Sequence, residues 1–196
     1  SKSVLVVSEE PDLQARSKLS KIPSWSFTFK NLAEFSALSE QERKSFTVQF
    51  FYKVAPDSPP VGSTLFVLPP ANNTIFPVLD ELTHQQVTSW QDNHPLNTYL
   101  RLTLFSFPAA KVFRDGAGML SVINIGAGPV VVVQDRGDVR SAAVGFEILP
   151  YEGKEDPLLS VFTLNLLNWF SGERLQQQPN TSESASFQEL TFNPAE

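Results

Sequence analysis

The sequence predicts a single α/β domain built on a mostly parallel sheet with an inserted antiparallel hairpin, and three stretches carry that expectation. Within the first thirty residues an apolar run (Val4 to Val7), a helical segment and an alternating run (Trp25, Phe27, Phe29) follow one another. Strand, helix and strand in so short a span point to a parallel pair. From Gly128 onward, Pro129 to Gln134 is an apolar β-branched run, Arg136-Gly137-Asp138 a turn, and Ser141 to Leu149 a second strand-like run. Then Asp156 and Pro157 set a helix start, with Asp as N-cap and Pro at the first helical position. Gly172 suits a left-handed C-terminal cap. Between them Ser160, Thr163, Asn168 and Ser171 form one narrow polar side, and Leu159, Phe162, Leu166, Leu167, Trp169 and Phe170 cover most of the rest. So apolar a helix needs a broad partner, and a sheet is the obvious one.

The other elements follow in order. Pro11 opens a helix whose inner face includes Ala15, Leu19 and Ile22, and Pro23 ends it. Ser39 with Glu42 is a capping box for a short helix. Thr47 to Val54 and Thr64 to Leu68 read as strands, separated by a loop from Pro56 to Gly62. Pro69-Pro70 closes the second abruptly. Ile75 to Leu82 reads as a strand or a short helix, with Pro77 arguing against a regular helix. His94-Pro95-Leu96 opens a helical turn, and Leu102 to Phe107 resumes strand character. The domain spans residues 1–172. Residues 173–196 are polar and low in complexity, a linker or tail, in which Phe187 to Phe192 reads as a small extended segment laid on the domain.

Composition narrows the function classes. A chain of 196 residues can bury roughly 70% of its unfolded surface, enough for a core without covalent staples. Sixteen Phe predict a Phe-rich core, and fifteen Pro predict irregular connections. A net charge of −6 with scattered Lys and Arg argues against a nucleic-acid surface or an anionic-membrane patch. The absence of cysteine excludes disulfides, a thiol nucleophile and Cys-type metal sites. No apolar run reaches the roughly 18 residues of a membrane span. A start at Ser1 in place of Met leaves room for a signal or anchor segment upstream.

An ordered series of motifs then resembles a known family. Leu65 to Pro70, Ser89-Trp90, His94-Pro95-Leu96, Gly128 to Val132, Ala143 to Glu147, and Phe162 with Asn165 to Phe170 look like the class I glutamine amidotransferase-like domain of bacterial BatA-type (aerotolerance-type) membrane proteins. The resemblance covers roughly residues 4 to 172. It implies a flavodoxin-like three-layer sandwich, held on the periplasmic side by flanking transmembrane helices. It also implies protein partners, a von Willebrand factor A domain of the same chain among them. In that fold the nucleophilic Cys sits on a tight turn after a strand. The corresponding place, after Thr64 to Leu68, carries Pro69-Pro70-Ala71-Asn72, with no Cys and two residues that lack a backbone N–H for an oxyanion hole. The resemblance therefore carries the fold and not the activity.

The expected function is a non-catalytic interaction or scaffolding module. Its surface is expected on loops at the carboxyl ends of the parallel strands, where open α/β sheets bind ligands. Asn72, Asn73, Trp90, Asp92 and His94 are the residues assigned to it. A hydrolase using Ser with His84 or His94 is the second reading, and a small-ligand or glycan sensor on the same loops the third. No cofactor is implied, and no metal-ligand spacing appears around Asp92, His94, Asp135 or Asp138. Gly116-Ala117-Gly118 and Gly126-Ala127-Gly128 read as turns, and Arg136-Gly137-Asp138 as a hairpin turn in preference to an adhesion tripeptide.

Overall fold

The computed structural model describes residues 2–149 and 156–172, and within them the protein is a mixed α/β fold with a mostly parallel central sheet plus antiparallel strands. β1 (Lys2–Val7), β2 (Trp25–Lys30), β3 (Val48–Tyr52) and β4 (Thr64–Val67) are mutually parallel, in the order β2-β1-β3-β4. The crossover from β1 to β2 holds a one-turn α1 (Leu13–Arg16) and a 3-10 turn, Leu19–Lys21. Ser17 breaks the helix by turning extended, at φ −80° and ψ 146°. The helical spacing from Ala15 to Leu19 is therefore lost. Leu13 and Leu19 are buried, whereas Ala15, expected inside, is exposed. Two capping boxes follow. Asn31 with Glu34 starts α2 (Leu32–Ala37), and Ser39 with Glu42 starts α3 (Glu40–Lys44), the one foreseen.

Beyond β4 the sheet turns antiparallel. The stretch around Ile75 to Leu82 resolves as a strand: β5 (Val78–Gln86) pairs with β7 (Ser106–Phe113) in a separate two-stranded ribbon. Leu102–Leu104 is a 3-10 turn, so the strand expected from Leu102 begins only at Ser106. The two-residue β6 (Ser89–Trp90) edges the main sheet against β8 (Leu120–Ile125), followed by β9 (Gly128–Asp135) and β10 (Arg140–Val144). β9 and β10 form the expected hairpin. Gly137 supplies the left-handed residue at φ 83°, and Arg136 N–H donates to Val139 O at 3.0 Å. β10 then lies parallel to β4 and joins the two halves.

The second hairpin strand stops at Val144, short of Leu149, for a steric reason. β7 crosses there: Lys111 N–H donates to Gly145 O at 2.7 Å, while Gly145 N–H donates to Val130 O at 2.8 Å. A Cβ at position 145 would sit 1.9 Å from Lys111 O, so only glycine permits the crossing.

The period-2 alternation of the strands sorts two cores onto the two sheet faces. Val4, Val6, Phe50, Tyr52, Leu65 and Val67 meet α4 (Pro157–Phe170) through Phe162, Leu166, Leu167 and Trp169. Asp156 caps this helix, its Oδ1 accepting from Leu158 N–H at 2.9 Å, and Gly172 follows it at φ 71°. Its polar side is only partly as expected: Ser160 is exposed, but Thr163 is buried with its hydroxyl donating to Leu159 O at 2.9 Å. On the opposite face, Leu5, Val7, Phe51 and Phe66 meet Phe35, Phe76 and Phe113. There Phe35–Phe51 and Phe51–Phe66 have ring centroids 5.1 Å apart, and Phe66–Phe76 5.5 Å apart. Among the described residues both faces carry the predicted phenylalanines, five buried here and six on the α4 face. The tail, including Phe187 to Phe192, lies outside the described residues.

Candidate functional site

Leaving β1, the chain moves outward to β2 and then back across to β3, so the strand order reverses between β1 and β3. In open α/β sheets that reversal opens a crevice at the carboxyl ends of the strands, the usual ligand site. Here the crevice is bridged by charge. Lys53, the residue after β3, places Nζ 3.5 Å from Glu10 Oε1 in the loop after β1, and Arg16 pairs with the other oxygen of the same carboxylate. Ser8 Oγ accepts from Glu10 N–H at 3.1 Å and holds the loop.

The residues that follow β3 and β4 are both left-handed, Lys53 at φ 59° and Leu68 at φ 50°. Neither is a residue type that favours this region, and such strain concentrates at functional turns. Leu68 directly precedes Pro69-Pro70-Ala71-Asn72, the stretch where the resemblance puts the amidotransferase nucleophile. The turn is held by Leu68 N–H donating to Val144 O at 2.9 Å. Next to it, Lys111 Nζ donates to Pro69 O at 2.8 Å. Burial holds the Lys111 amine below the ordinary lysine range and Lys53 adds to that, while Glu81 opposes it. Tyr52 completes the edge with a hydrogen bond from its hydroxyl to Glu147 Oε1. The polar groups gathered here mostly serve one another or the backbone.

A cleft of about 330 Å³ lies at the carboxyl ends of β1 and β2, between Ser8, Glu9, Glu10, Lys30, Asn31 and Glu34. It is polar, unlike the deep apolar pocket a small-ligand sensor needs. Its groups also hold the local chain: Glu9 Oε1 accepts from Leu32 N–H at 2.8 Å, and Asn31 and Glu34 form the α2 capping box.

The five residues assigned from the sequence do not share a surface. Asn72 is exposed at the carboxyl edge. Beside it Asn73 is consumed by its own loop, its amide donating to Pro70 O and Phe76 O at 2.7 and 2.8 Å and accepting from the N–H groups of Ile75 and Phe76. Trp90, Asp92 and His94 belong to the other end of the sheet. β6 runs antiparallel to β8, and Gln91, just past Trp90, donates to Val122 O. His94 then lies with its ring 5.9 Å from that of Trp169, which Arg140 binds at the amino end of β10. The single carboxyl-end surface is therefore corrected. The strand-by-strand reversal of β10, β9, β8 and β6 carries the last three residues to the amino edge.

At that edge His94 caps the 3-10 turn Pro95–Asn97, its Nδ1 accepting from Leu96 N–H at 3.2 Å. Burial first, and the Arg140 charge second, push the imidazole down to about 4, with Asp135 opposing. Arg140 Nε lies 3.4 Å from Asp135 Oδ2, its Nη1 donates to Trp169 O, and its guanidinium stacks 5.2 Å from the Trp169 ring. Trp90 is half-buried against the core, and Asp92 is exposed. His84 is exposed on the ribbon strand β5. Among the described residues no serine hydroxyl is hydrogen-bonded to either imidazole, and no group of three or more His, Asp or Glu gathers as metal ligands would.

Sequence reasoning missed Glu10, Arg16, Lys53, Leu68 and Lys111. A left-handed Lys or Leu leaves no compositional mark, and Lys111 reaches Pro69 across 42 residues.

No family model matches the chain, and no curated protein matches it. Solved structures do. A ThuA-like protein from Bacteroides uniformis aligns with a TM-score of 0.63 at 11% identity, over 86% of this chain and 90% of its own. Two cytoplasmic proteins of Salmonella typhimurium align with TM-scores of 0.60 and 0.63 at 11% and 8% identity, over 86% and 87% of this chain and 98% and 99% of theirs. What they share is the fold. The expected placement, a membrane-anchored domain on the periplasmic side, is corrected by the same comparison. Two of these neighbours are cytoplasmic proteins, and among the described residues no helix is long and apolar enough to cross a membrane.

Proposed function

We propose that the chain is a flavodoxin-like domain of the class I glutamine amidotransferase type that works as a non-catalytic interaction or scaffolding module. The ThuA-like neighbour supports the finer fold assignment, since that architecture is related to amidotransferase-like folds. Kinship with the BatA-type domain rests on the ordered motifs of the sequence. The observation that carries the functional reading is the state of the turn after β4. Leu68 stands at the left-handed position, and Pro69 has no N–H and gives its carbonyl to the Lys111 ammonium. Acyl transfer needs a nucleophile there and N–H groups aimed at a developing oxyanion. This turn offers neither. The exposed loops at the same edge, Asn72 among them, are left as a surface for a protein partner, a von Willebrand factor A domain being one candidate.

A photo-crosslinking residue at Asn72, compared with one at Asn93 near the amino edge, tests this in the producing cell. A discrete protein adduct from position 72 and none from position 93 is the expected result. Adducts from 93 alone would move the interaction surface to the other end of the sheet and contradict the assignment.

A further inference from the structure

Among the described residues the two sheets end in β2, β6, β5 and β7, and three of these edges are blunted. β6 has only two residues. β5 is interrupted by a register shift between Val78 and Asp80 and by left-handed His84 at φ 52°, and β7 gives its Lys111 N–H to Gly145 O. β2 is regular. It keeps an unbroken parallel register with β1 over six residues, from Lys2↔Trp25 to Val7↔Lys30.

One hydrogen bond fixes which groups this edge presents. Ser8 N–H donates to Lys30 O at 3.0 Å, so Ser26, Thr28 and Lys30 turn their amides and carbonyls towards β1. Those of Trp25, Phe27 and Phe29 face away from the sheet. The side chains of these three lie partly buried against the α4-side core, and Ser26 and Thr28 are exposed on the opposite face.

We propose that β2 pairs antiparallel with β2 of a second copy, about a two-fold axis at Phe27, and joins the two sheets edge to edge. Opposed residues in such a pair share a face, so Phe27 meets Phe27, Trp25 meets Phe29 and Ser26 meets Thr28 of the other copy. Every outward amide and carbonyl of the strand is then bonded. Neighbouring axes do worse. An axis at Thr28 sets Trp25 against Asn31, whose N–H is given to Glu34 Oε1. One at Ser26 sets Phe29 against Pro23, which has no N–H.

Charge fits the antiparallel sense. The turn entering β2, residues 19–24, carries Lys21 and no carboxylate, whereas Glu9 and Glu34 outnumber Lys30 in the cleft at the strand's carboxyl end. The two-fold axis sets the basic end of each copy beside the acidic end of the other. A six-residue edge is about 20 Å long at roughly 3.4 Å per residue. So short an edge makes an interface below the ~1,200 Å² of standard ones, and the pair is weak and concentration-dependent.

The cysteine-free sequence makes the test clean, because introduced thiols report alone. Full-length Ser26→Cys and Thr28→Cys chains are mixed and oxidised, and the linked peptides are separated by mass. Facing positions have Cα atoms about 4.5 Å apart, within disulfide reach, whereas the like-with-like diagonals lie at roughly 7–8 Å, beyond it. Links between positions 26 and 28 are therefore expected to outpace like-with-like links by about tenfold. In sedimentation the native chain is expected to be a monomer at about 10 µM and partly dimeric at about 1 mM. Ser26→Lys with Thr28→Lys, both at exposed positions, should abolish the dimer, and mixing that chain with one carrying Ser26→Glu and Thr28→Glu should restore it. A chain that stays monomeric throughout would leave the edge to another protein's strand and overturn the proposal. Preferred links of position 28 to 28, or of 26 to 26, would move the axis and overturn it too.

Discussion

The two edges of the central sheet hold charge in different ways. At the carboxyl edge the groups are half-exposed and the backbone is strained. Lys53 and Glu10 meet with side chains 42% and 31% exposed, and both Lys53 and Leu68 are left-handed. At the amino edge Ser24 and Tyr99 are left-handed too, but the cation is sheltered. Arg140, whose side chain is 15% exposed, spans Asp135, the carbonyl of Trp169 and its ring. Exposed pairs contribute roughly 0–1 kcal/mol, whereas charged hydrogen bonds to sheltered groups contribute about 1.5–3 kcal/mol. The amino edge is therefore a structural clasp. The carboxyl edge combines left-handed backbone with a weaker, half-exposed pair, which is the feature the proposed interaction surface draws on.

Four perturbations sharpen or break this contrast. Gly145→Ala, which drives a methyl into the Lys111 backbone at the crossing of β7 over β10, should cost at least about 4 kcal/mol and abolish soluble expression or cooperative melting. A variant that melts normally would remove the crossing from the account of this edge. Arg140→Met should lower stability by about 1 kcal/mol in urea denaturation, since it removes a charged hydrogen bond to the Trp169 carbonyl, which keeps Gly172 N–H as a donor, and the pair with the partly exposed Asp135 carboxylate.

The third is a pH dependence. His94 is held near 4 in the fold and would titrate near 6.5 unfolded. Between those values the unfolded chain binds more protons, so stability is fully present above pH 6.5 and declines as pH falls towards 4. The Tm should drop over that window, and His94→Asn, which keeps a capping side chain, should flatten the slope. An NMR titration placing the imidazole near 6.5 would contradict the buried, Arg140-opposed geometry. The smallest effect is expected at Lys53→Gly, where relief of left-handed strain (about 1 kcal/mol) offsets the lost exposed pair with Glu10 (about 0.2–1 kcal/mol). A loss above about 2 kcal/mol in chemical denaturation would show the carboxyl edge to be a clasp like the other.

What was legible in the sequence was what local chemistry decides. The capping box at Ser39, the Asp156-Pro157 start, the Gly172 stop and the Arg136-Gly137-Asp138 turn all appear at their residues. The alternation of Trp25, Phe27 and Phe29 gives the strand it suggested, with that face partly buried against the core. Failures came where a distant neighbour decides. Ser141 to Leu149 reads as one strand until β7, more than thirty residues upstream, crosses at Gly145. Leu102 to Phe107 has strand composition, yet its first half turns as a 3-10 element. The candidate site failed for the same reason. Asn72 and His94 lie close in the chain, but three antiparallel reversals set them at opposite edges of the sheet. Asn73 looked available because nothing local announces that its amide closes the loop from Pro70 to Phe76.

The central claim is that the turn after β4 holds fold and not chemistry. The most direct measurement is release of ammonia from glutamine, and of product from a panel of amide and ester substrates, by the purified full-length chain and its Lys111→Met variant. The account predicts that neither exceeds the protein-free rate. Turnover by the native chain that disappears on replacing Lys111 would put a working site at Pro69 and contradict it.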